Sequence, residues 1–103
     1  VADASAGIAT MLDAPSLPHN LYNISGGSLV TLENIIQALT ELRADLQVIE
    51  DPSKEFPILQ RGGSRGVINI TRLREELGFS ASYDLKAGLD EYLHWREDSG
   101  YLN

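Results

Sequence analysis

The sequence predicts an α/β chain of about four helices and three short strands. Three observations carry that reading. Apolar residues recur with helical period in several segments, and residues that cap helix ends stand where those segments begin. Between them lie short alternating runs of strand character. Glycine and proline mark the boundaries. At 103 residues the chain holds one small domain.

The first predicted helix runs from Asp3 to Ala14, with Ala4, Ile8, Met11 and Leu12 on one face. Asp3 is placed to cap it, its carboxylate accepting from first-turn amides. Pro15 and Pro18 close it. Asn20 to Ser25 alternates as a short strand and ends at Gly26-Gly27. Thr31 caps a second helix reaching to about Arg43, striped by Leu32, Ile35, Ile36, Leu39 and Leu42. Leu46 to Glu50 reads as a second strand. Asp51 to Gly66 is irregular, with two prolines and the run Arg61-Gly62-Gly63-Ser64-Arg65-Gly66. A loop of that length inside a small domain is often functional or mobile. Val67 to Ile70 predicts a third strand. Thr71 caps a short helix, Arg72 to Leu77, which Gly78 ends in the left-handed conformation. Asp84 caps the last helix, with Leu85, Leu89, Tyr92 and Leu93 on one face, and Gly100 marks its frayed end. If the strand at Asn20 to Ser25 belongs in a larger parallel sheet, the chain alone exposes an edge and is expected to form homo-oligomers, aggregate or partly unfold.

Composition narrows the function. The net charge is −7, from 15 acidic and 8 basic residues. That argues against nucleic acid or an anionic membrane as partner, since both attract basic faces. With no cysteine there is no disulfide framework, thiolate metal site or cysteine nucleophile. No apolar run approaches the roughly 18 residues of a membrane span. The start, Val1-Ala2-Asp3-Ala4, has no initiator methionine and no signal-type stretch, so it reads as a cut within a longer protein. A cytoplasmic location fits these features.

Motifs for catalysis are missing. His19 and His94 have no ligand-like partners at metal-site spacing. Ser64 comes directly after Gly63, which breaks the Gly-x-Ser-x-Gly nucleophile turn. Gly63 and Gly66 do not complete a dinucleotide fingerprint, and the next segment is a predicted strand rather than a helix. The chain therefore shows no cofactor-binding signature of its own. One group stands out. Arg61 and Arg65 lie in a glycine-rich loop of an otherwise acidic protein. Glycines let backbone amides approach an anion, and arginine grips phosphate with two parallel hydrogen bonds. Taken alone, the residues favour solvated charges or pairing with nearby carboxylates over a phosphate site.

Three blocks, in order, carry a resemblance. They are Val1-Ala2-Asp3-Ala4-Ser5-Ala6-Gly7-Ile8, then Leu21-Tyr22-Asn23-Ile24-Ser25-Gly26-Gly27 running into Val30-Thr31-Leu32, and finally Ile70-Thr71-Arg72-Leu73-Arg74-Glu75-Glu76-Leu77-Gly78-Phe79 with Tyr83-Asp84-Leu85 and Gly88-Leu89. Together they resemble the C-terminal region of the extended short-chain dehydrogenase/reductase family, the NAD-dependent nucleotide-sugar epimerases and dehydratases. The departures are Asn69 where the family usually has aspartate, a missing proline near Ala81, and a shortened loop before Asn69. The resemblance implies that residues 1–103 are a single C-terminal substrate-binding region of a Rossmann-type enzyme. The N-terminal part that binds NAD or NADP would lie outside them, and the fragment alone would bind no cofactor. It also implies a nucleotide sugar as substrate, with Arg61 at the best-matching position for the diphosphate and Arg65 next. The family's catalytic Tyr-x-x-x-Lys pair is absent. Tyr22, Tyr83 and Tyr92 are followed four residues on by Gly26, Ala87 and Arg96. No catalytic residue is therefore assigned. The rival expectation is a non-catalytic binding or scaffold module derived from that family.

Overall fold

The computed structural model describes residues 1–51, 53 and 66–100. Among them the regular elements are all helical: α1 (Ala2–Asp13), α2 (Leu32–Leu42), α3 (Thr71–Leu77) and α4 (Leu85–Asp98). α1 packs on α3, and α2 on α4. The expected α/β class is thus corrected. No strand forms among the described residues, and Asn20–Ser25, Leu46–Glu50 and Val67–Ile70 form no ladder. Alternation describes where side chains point, whereas a strand needs a neighbouring backbone to bond. Asn20–Ser25 uses its side chains instead. Ile24 lies against Gly7, and Asn23 Nδ2 donates to the Asn69 carbonyl at 3.0 Å.

Local chemistry explains the helix ends. Thr31 Oγ1 accepts the Asn34 N–H at 3.2 Å while Asn34 Oδ1 accepts the Thr31 N–H at 3.0 Å, a reciprocal capping box. In the first turn of α2, a bond from its own N–H holds the Glu33 carboxyl below its ordinary range, helped by the Thr31 side chain. Asp84 caps α4, accepting from Ala87 N–H at 2.8 Å. Gly78 ends α3 at φ +70°, its N–H on the Arg74 carbonyl, the left-handed stop that glycine adopts without steric cost.

Two expected caps move. Thr71 is the first helical residue of α3, and Asn69 Oδ1 accepts its N–H at 2.9 Å. Asp3 lies inside the first turn of α1. Its two carboxylate oxygens accept the N–H groups of Ser82 and Tyr83 at 2.8 and 3.0 Å, which ties α1 to the entry of α4.

The core is thin. Ala38, Leu73 and Phe79 are the buried apolar residues among those described. From α2, Ile35, Ile36, Leu39 and Leu42 are half-buried, while Leu32 is exposed. Ion pairs lace the α2/α4 contact. Lys86 meets Glu41 at 2.7 Å and Arg43 meets Glu97 at 2.6 Å, so both ends of α4 reach the last turn of α2. On α1 the predicted apolar face is mostly exposed. Ala4, Ile8 and Leu12 are exposed and only Met11 is half-buried, while the buried residue is Gly7. Tyr92 and Trp95 stack on one another at the surface of α4, with ring centroids 6.0 Å apart.

Candidate functional site

Arg61 and Arg65, the predicted diphosphate contacts, lie outside the described residues. The exit of their loop is placed. Val67 and Ile68 are exposed, and Asn69 then anchors the chain. Its amide oxygen caps Thr71 and its carbonyl takes the Asn23 side chain. An asparagine oxygen accepts an N–H as a carboxylate does.

Sequence reasoning missed the cluster that the described residues do assemble. Tyr22 donates its hydroxyl to Glu76 Oε2 at 2.8 Å, and His19 Nδ1 lies 2.9 Å from Glu76 Oε1. The Tyr22 oxygen also accepts the His19 N–H at 3.2 Å. Arg72, one turn before Glu76 on α3, donates to the Leu21 carbonyl at 3.3 Å. Read singly, these are a half-buried tyrosine, a loop histidine and a solvated helix face. Their sequence separation leaves no local signal that pairs them.

The electrostatics define what the cluster does. The Tyr22 hydrogen bond, reinforced by His19 and the positive charge of Arg72, holds the Glu76 carboxyl below its ordinary range. Partial shielding from water and the bond to Glu76 push the Tyr22 phenol up. At neutral pH the carboxylate is charged and the phenol protonated. A tyrosine serving as a base needs the opposite shift. The set is a clasp that fastens the segment His19–Tyr22 to α3.

The described residues line two open hollows. One, of about 440 Å³, lies between the end of α1 and α3, lined by Thr10, Asp13, Ala14, Pro15, Glu76 and Leu77. Its two carboxylates make it a poor seat for a diphosphate. The other, of about 320 Å³, lies between α2 and α4 over Ala38 and Leu85. Its lysine, Lys86, is paired with Glu41. Among the described residues no three His, Cys, Asp or Glu side chains converge as metal ligands. No helix among them is long and apolar enough to cross a membrane.

No family model matches the chain, and no solved structure matches it. It is similar to Uncharacterized protein YbjS of Escherichia coli (strain K12), at 30% identity over 105 aligned positions covering 80% of this chain. The chain spans only about a third of that relative, with the alignment covering 31% of its length.

Proposed function

We propose that this chain is the substrate-binding region of a longer NAD(P)-dependent nucleotide-sugar epimerase or dehydratase and carries no catalysis itself. One observation supports the reading most. Residues from the three blocks that resemble this family meet one another in space. Asp3 of the first block holds the backbone of Ser82 and Tyr83 beside the third. Gly7 of the first block lets Ile24 of the second pack close. Asn23 of the second bonds to Asn69 at the head of the third. Motif residues that meet in one unit are what a shared fold requires. The unit they build is helical, so the reading concerns the substrate end of the enzyme. Hydride chemistry and the tyrosine–lysine pair belong to the NAD(P)-binding part.

The test uses the full-length gene product. Purified protein is incubated with NAD or NADP and a panel of nucleotide sugars, and epimerised, dehydrated or reduced products are followed by mass spectrometry and NMR. Turnover of at least one nucleotide sugar is expected. A product that binds neither cofactor nor nucleotide sugar would leave the scaffold module as the better description.

A further inference from the structure

We draw no further inference here: the strongest candidate, the exposed surface patch on α4 where Tyr92 and Trp95 stack and the Arg96 guanidinium lies over the Tyr92 ring, carries none because nothing in the structure shows what covers it.

Discussion

Tyr22, His19 and Glu76 show how residues far apart in sequence fix an otherwise irregular segment. The pH dependence of their clasp is set by the directions of the shifts. The folded-state Glu76 pKa is lowered. Its contribution is therefore present above the unfolded carboxyl range and lost as pH falls through the lower folded value. The Tyr22 pKa is raised, so its contribution is present below the ordinary phenol range and lost as pH rises through the raised value. The clasp is intact across neutral pH. Tyr22→Phe should move the Glu76 carboxyl back up toward its ordinary range. Carbon-detected NMR titration of the glutamate side chains reads this directly. An unchanged Glu76 midpoint in the variant would mean that the phenol does not hold the carboxylate.

The elements divide by how local their causes are. Thr31, Asp84 and Gly78 are legible in the sequence because a cap acts within three or four residues of itself. The strand readings fail because a ladder needs a partner distant in sequence, and alternation cannot report whether one is present. Asp3 has the residue type of an N-cap, yet its acceptors serve Ser82 and Tyr83, a contact set by tertiary structure. The apolar stripe of α1 exists as a stripe but not as part of this chain's core, from which Ala4, Ile8 and Leu12 point away. The docked side depends on Gly7, which costs a helix interior about 1 kcal/mol relative to alanine. Its use there is the close approach of Ile24. Gly7→Val should destabilise the fold by about 1–3 kcal/mol through overpacking, measured by urea unfolding. A variant as stable as the parent would show that α1 and Ile24 can separate freely.

For the whole molecule, the described residues form two helix pairs, α1 with α3 and α2 with α4, around a small core. They are joined by polar fastenings such as Asp3 to Ser82 and Tyr83. Helix positions are readable from composition and period. The way the pairs are held together is not, because it depends on hydrogen bonds between distant residues. The candidate substrate loop comes from a resemblance and from the chemistry of arginine. The described residues supply the anchored segment at Asn69 that follows it.

Calorimetric titration of nucleotide sugars into the full-length protein and its Arg61→Ala variant tests the substrate-binding reading most directly. Losing a charge-assisted arginine–phosphate contact should weaken nucleotide-sugar binding by about 10- to 100-fold, with NAD(P) affinity unchanged. Equal nucleotide-sugar affinity in the two proteins, or no binding by the parent, would contradict the account.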